Sequence, residues 1–180
     1  DGKVALNIYG GTISGNTASK GAGIYVRNGA HIEMTGGVIT KNKTNNTFVD
    51  DKQIEKASGA AAISLTNQST MTMSGGEISY NEAQGAGGAM LVESKNTKFV
   101  LKGGKFIGNT TTSDGGAIYI STNTEFEMTG GTISGNQAKK NGGGIYFLDT
   151  ASLTINGGEI SNNKADHATA KAQGGAVFGG

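Results

Sequence analysis

Apolar residues in this chain recur in short alternating runs, and the runs themselves recur. The pattern G-G-x-φ-x-x-N, with φ apolar, occurs six times: GGTISGN at 10, GGVITKN at 36, GGEISYN at 75, GGKFIGN at 103, GGTISGN at 130 and GGEISNN at 157. The steps between them are 26, 39, 28, 27 and 27 residues. Each Gly pair is preceded by an alternating run (LNIYGG, IEMTGG, MTMSGG, FVLKGG, FEMTGG, LTINGG). Each Asn is followed by a second one (GAGIYV, GAAAISL, GGAMLV, GGAIYI, GGGIYF, GGAVF). Alternation with period two is the mark of a strand with one buried face.

One unit of about 27 residues therefore holds three short strands. The first buries Leu6 and Ile8 and their counterparts, the second Ile13, Ile39, Ile78, Phe106, Ile133 and Ile160. The third buries Ile24 and Val26, Ile63 and Leu65, Met90 and Val92, Ile118 and Ile120, Ile145 and Phe147, and Val177. Strands this short cannot cover their apolar faces within one unit, so successive units must stack. The fold class predicted is all-β, a parallel β-helix (solenoid) of about six coils of three short strands, with the chain 1–180 a single β-helix segment. At about 4.8 Å per coil the rod would be roughly 29 Å long. Gly10–Gly11 and their counterparts are read as corners where a Cβ would obstruct the turn. The recurring Asn16, Asn42, Asn81, Asn109, Asn136 and Asn163 are read as a structural amide ladder of the cross-β kind.

Composition narrows the function. Of 180 residues 32 are Gly, with no Pro, Cys or Trp, and the net charge is +1. A single arginine, Arg27, and a balanced charge argue against a nucleic-acid partner. The apolar runs are too short for membrane insertion. No cofactor is implied, and the acidic residues do not gather as a polysaccharide lyase or hydrolase requires. Glu33 and Glu127 share a column three coil steps apart, as do Glu77 and Glu159, about 14 Å at strand spacing. That is wider than a glycosidase pair. The two histidines, His31 and His167, join no nucleophile motif.

Candidate binding residues lie in two places. The outward column of the third strands reads Tyr25, Ser64, Leu91, Tyr119, Tyr146 and Phe178, and exposed aromatics on a rigid surface can hold sugar rings. The repeat is also interrupted by inserted loops at 43–58 and 164–173, where function tends to sit. The first carries Phe48, Asp50 and Asp51, read as a protrusion with a short helix at DDKQIEK. The two aspartates with Glu55 raise the alternative of a Ca²⁺ loop, although the ordered ligand spacing is missing.

GGAI (Gly115–Ile118) and FIGN (Phe106–Asn109) resemble the GGA[ILV] and FxxN repeats of polymorphic-outer-membrane-protein passengers. GGTISGN and GGGIY resemble the β-helix repeats of large bacterial and archaeal adhesin-like surface proteins. The resemblance implies a right-handed coil and a secreted or cell-surface adhesin or stalk without enzymatic activity. The partners expected are a host or environmental glycan or glycoprotein, and flanking domains of the same chain, since neither end shows a polar cap. A polysaccharide lyase or hydrolase with its catalytic part elsewhere is the alternative.

Overall fold

In the computed structural model, which describes residues 4–49, 52–55, 57–167 and 171–180, the chain is a parallel β-helix. Four six-stranded parallel sheets run the length of the rod, with each coil supplying one strand to each. The first sheet is built from Ala5–Ile8, His31–Met34, Thr70–Met73, Lys98–Leu101, Glu125–Met128 and Ser152–Ile155. The second runs from Thr12–Ser14 through Val38–Thr40, Glu77–Ser79, Lys105–Ile107 and Thr132–Ser134 to Glu159–Ser161. The fourth holds Ile24–Val26, Ile63–Leu65, Met90–Val92, Ile118–Ile120, Ile145–Phe147 and Val177–Gly179. These are the three strands expected from the sequence.

Between the second and fourth sheets lies a strand that the alternation does not announce. The third sheet is made of two-residue strands: Thr17–Ala18, Lys43–Thr44, Glu82–Ala83, Thr110–Thr111, Gln137–Ala138 and Lys164–Ala165. Period two cannot register over two residues, and the inward member is only Ala or Thr. Ala83 and Ala138 are fully buried, as is Thr44. Residues 43–44 and 164–165 thus belong to the coil.

Like residues stack on like in the interior. Ile32, Met71, Phe99, Phe126 and Leu153 form one column, and Ile39, Ile78, Phe106, Ile133 and Ile160 another. Phe99 and Phe126 stack at 5.2 Å between ring centroids, and Phe106 meets Phe99 at 6.0 Å. From Ile32 to Ile145 the inward residues are almost wholly excluded from water.

The Gly pairs are required for two separate reasons. The first glycine faces the carbonyl of the coil before it: a Cβ on Gly103 would lie 2.5 Å from the Ser74 oxygen, and one on Gly157 2.6 Å from that of Thr129. The second adopts φ of +81° to +92° in the coils from Gly11 to Gly158, a region L side chains rarely enter.

The Asn column is a continuous ladder. Each side-chain Nδ2 donates to Oδ1 of the Asn one coil on: Asn16 to Asn42 at 2.9 Å, then to Asn81 at 3.0 Å, Asn109 at 2.9 Å, Asn136 at 2.9 Å and Asn163 at 2.8 Å. The same Oδ1 atoms accept the preceding Asn backbone N–H. Nδ2 of Asn42, Asn81, Asn109, Asn136 and Asn163 also donates to the carbonyl of Ile13, Ile39, Ile78, Phe106 and Ile133 in turn. Buried amides satisfied at every donor and acceptor hold the corner without a desolvation penalty. The tripeptides NKT at 42 and NTT at 109 begin on these buried amides.

The 39-residue step leaves the rod at Asn45–Asn46 and returns at Ala57, which is buried. Asn45 N–H donates to the Ala18 carbonyl, Ala57 N–H to Asn46 Oδ1 and Ser58 N–H to the Ser19 carbonyl. What projects is an antiparallel hairpin, Thr47–Val49 with Lys52–Glu55, where a helix was expected at DDKQIEK. Thr47 pairs with Glu55, Phe48 with Gln53 and Val49 with Lys52, β-favouring residues on the first strand, and a seven-residue stretch is too short to hold a helix alone.

Two outcomes follow from the corners. Gly103→Ala should lower the denaturation midpoint sharply, whereas Gly10→Ala, with nothing within 4 Å of the added Cβ, should leave it unchanged in thermal melts. Asn109→Ala strands the buried Asn81 amide and backbone donors and should cost about 3 kcal/mol in urea denaturation. Asn16→Ala, at the exposed end of the ladder, should cost under about 1 kcal/mol by the same measurement.

Candidate functional site

The outer face of the fourth sheet places the expected column in register: Tyr25 beside Ser64, Ser64 beside Leu91, then Tyr119, Tyr146 and Phe178. It is not one continuous surface. Ser64 is fully buried and Leu91 is 2% exposed, so Leu91 presents nothing to a ligand. The chain returning from the insertion covers this stretch. Gly59 sits against Lys20 and Ser64, Ala60 N–H donates to Ser64 Oγ at 3.2 Å, and Lys20 reaches across to pair with Glu93. Sequence alternation marks Leu91 as outward, which it is. The cover supplied by a segment remote in the repeat is what alternation cannot show.

Tyr25 is therefore cut off from the other rings by two buried rungs. The Lys20 ammonium stands 5.7 Å from its ring centroid, a cation–π arrangement.

Tyr119, Tyr146 and Phe178 form a three-ring stack. Tyr119 and Tyr146 lie 5.1 Å apart and 15° from parallel; Tyr146 and Phe178 lie 5.6 Å apart at 25°. Aromatic rings bind sugars through their faces, and here the faces are spent on each other. Both faces of Tyr146 are occupied, and Tyr119 and Phe178 each give one face to it. Burial pushes the Tyr119 hydroxyl up to about 12, helped by Tyr146, Asp114 and Glu93. Tyr146 is raised as well, by burial and then by Asp114 and Asp149. Asp114 is held in place at this rim, its Oδ1 accepting the Asn141 N–H at 2.9 Å.

The remaining candidates separate clearly. Phe48 lies in the first strand of the projecting hairpin, and Asp50 and Asp51 lie outside the described residues. Among the described residues no three of His, Cys, Asp and Glu gather as a metal site would need. Glu33 reaches Glu127 only through Thr72 and Val100, and Glu77 reaches Glu159 only through Lys105 and Thr132. Glu125 and Glu127, which share one outward face, are both held by Lys98, at 2.7 and 3.8 Å. Hydrogen bonding to Glu125 raises the Lys98 pKa. His31 Nδ1 is 2.7 Å from Thr70 Oγ1.

Sequence alternation passes over Tyr80, 60% exposed at the corner after the second sheet. The signal was there: the same position in the other units holds Gly15, Lys41, Gly108, Gly135 and Asn162, and Tyr is the odd member.

Residues 103–121 and 130–148 match the model of the Chlamydia polymorphic membrane protein repeat. Each match runs from a Gly pair, through the second-sheet strand and the ladder Asn, to the end of a fourth-sheet strand. The coils fit that adhesin-like surface repeat. No curated protein and no solved structure matches the chain.

The Tyr119 hydroxyl makes stability depend on alkaline pH. An unfolded tyrosine ionises near 10. Below that both states hold the proton and stability is complete; from pH 10 toward 12 the unfolded chain loses a proton that the folded chain keeps, and stability falls. Urea midpoints should be flat to about pH 9 and then decline, and Tyr119→Phe should flatten the decline.

Proposed function

We propose that this chain is a stretch of a bacterial surface adhesin, a rigid rod that displays recognition elements and binds host or environmental glycans or glycoproteins without cleaving them. The observation that carries this reading is the match of two successive coils to a polymorphic membrane protein repeat. The architecture supports it. A solenoid held by parallel strands and a satisfied amide ladder keeps surface groups at fixed spacing, which suits a display scaffold. Its one large departure, the hairpin Thr47–Val49 with Lys52–Glu55, projects from a corner and leaves the strand register undisturbed, as a contact element would.

The acidic residues favour binding over catalysis. A retaining or inverting pair needs two carboxyl groups within about 10 Å, one able to hold a proton. The columned glutamates stand three rungs apart, about 14 Å at strand spacing, and the adjacent pair Glu125 and Glu127 is engaged by one lysine.

The purified chain should be retained saturably on immobilised mucin and on arrayed oligosaccharides, with no new reducing ends released on prolonged incubation. Release of reducing ends would make the protein a polysaccharide-active enzyme. Absence of retention on every surface would leave the rod a spacer.

A further inference from the structure

The six corners between the second and third sheets share one backbone conformation. Gly15, Lys41, Tyr80, Gly108, Gly135 and Asn162 all have positive φ, from 53° at Tyr80 to 70° at Gly15. Glycine and asparagine occupy such positions readily, and a bulky aromatic residue there is a conformational outlier. Tyr80 is placed in it all the same, and its side chain is 60% exposed. An aromatic residue that pays a backbone penalty and remains in solvent is explained neither by the corner nor by the core.

Its ring has a bed. A Cβ on Gly108, one coil on, would fall 2.7 and 2.8 Å from Cε1 and Cδ1 of Tyr80. The ring lies across a glycine whose missing side chain makes room for it. The ring is thus set against backbone on its Gly108 side, and the residue as a whole is 60% exposed. No other ring stacks on it among the described residues, which separates it from Tyr119, Tyr146 and Phe178.

The surroundings are polar and of both kinds. Thr40, in the preceding coil, lies 3.3 Å from Ser79 through its Oγ1. Lys41 holds the same corner one coil back, its N–H donating to the Ser79 carbonyl at 3.3 Å. Two residues past Tyr80, Glu82 pairs with Lys43 at 2.9 Å. The corner therefore sets an exposed tyrosine among neighbouring rungs that carry a lysine, a lysine–glutamate ion pair and a threonine hydroxyl. That is the chemistry that holds a pyranose: C–H groups on the ring face and hydroxyls on the polar rim.

We propose that Tyr80 is the platform on which this rod stacks a pyranose unit of an oligosaccharide, with Thr40, Lys41, Lys43 and Glu82 as the polar rim. The inference rests on the glycan-binding reading and assigns its contact residue.

Tyr80→Gly tests it, because the corner holds glycine in three other coils and the variant should fold with an equal or higher melting temperature. Tyr80→Asn, copying Asn162, serves the same purpose. Hexose and N-acetylhexosamine oligosaccharides immobilised at equal density should retain the parent and Tyr80→Phe alike, and Tyr80→Gly at least tenfold less. In solution, pyranose C–H protons of the retained oligosaccharide should shift upfield with the parent and not with Tyr80→Gly. Equal retention of parent and Tyr80→Gly overturns the assignment and leaves glycan adhesion standing. Failure of every oligosaccharide to retain the parent overturns both.

Discussion

The rod depends on a side-chain amide meeting its own counterpart one coil away. At the corner after the second sheet the asparagine is buried, and its backbone N–H is met by a side chain and not by a backbone carbonyl. An asparagine there supplies a donor to the carbonyl of the preceding coil and an acceptor to its N–H. It still has an N–H to donate to the next asparagine and a lone pair to accept from the preceding one. The same geometry fixes the residue before it in positive φ, and so dictates glycine, asparagine or a strained exception. A corner, a turn type and a stacking distance are all set by one repeated contact.

Aromatic residues meet the same spacing with two outcomes. In the core, Phe99 and Phe126 stack because the coils place them one above the other and nothing else fills the space. On the outer face the same register stacks Tyr119, Tyr146 and Phe178. A column of aromatics in a β-helix thus consumes its own faces, and the longer the column, the smaller the share left for a ligand. Recognition by ring stacking is open instead to an aromatic residue without an aromatic neighbour above or below.

What could be read from the sequence follows from this logic. Period-two alternation over three or more residues gave the first, second and fourth sheets, and the constant step gave the stacking. Two-residue strands such as Glu82–Ala83 and Thr110–Thr111 carry no period to read. Outwardness was legible for Leu91, but exposure was not, because Lys20 and Gly59, from segments outside its own strand, close over its neighbours Glu93 and Ser64. The hairpin was not legible because Lys52, Gln53 and Glu55 have good intrinsic helix propensity, and only the pairing across the turn makes them a strand. Tyr80 stands outside the repeat, the one aromatic residue in a column of Gly, Lys and Asn, so the period carries no sign of it.

The insertion has a further consequence for how such a molecule varies. Ile24 and Ile63 are neighbours in the fourth sheet although 39 residues separate the corners on either side, so the extra chain adds girth and no height. Height is counted in coils, each about 4.8 Å, whatever number of residues a coil contains. The molecule is a ruler graduated in turns: reach changes only when whole units are gained or lost, while what the rod carries at any graduation can be exchanged without moving the marks above it.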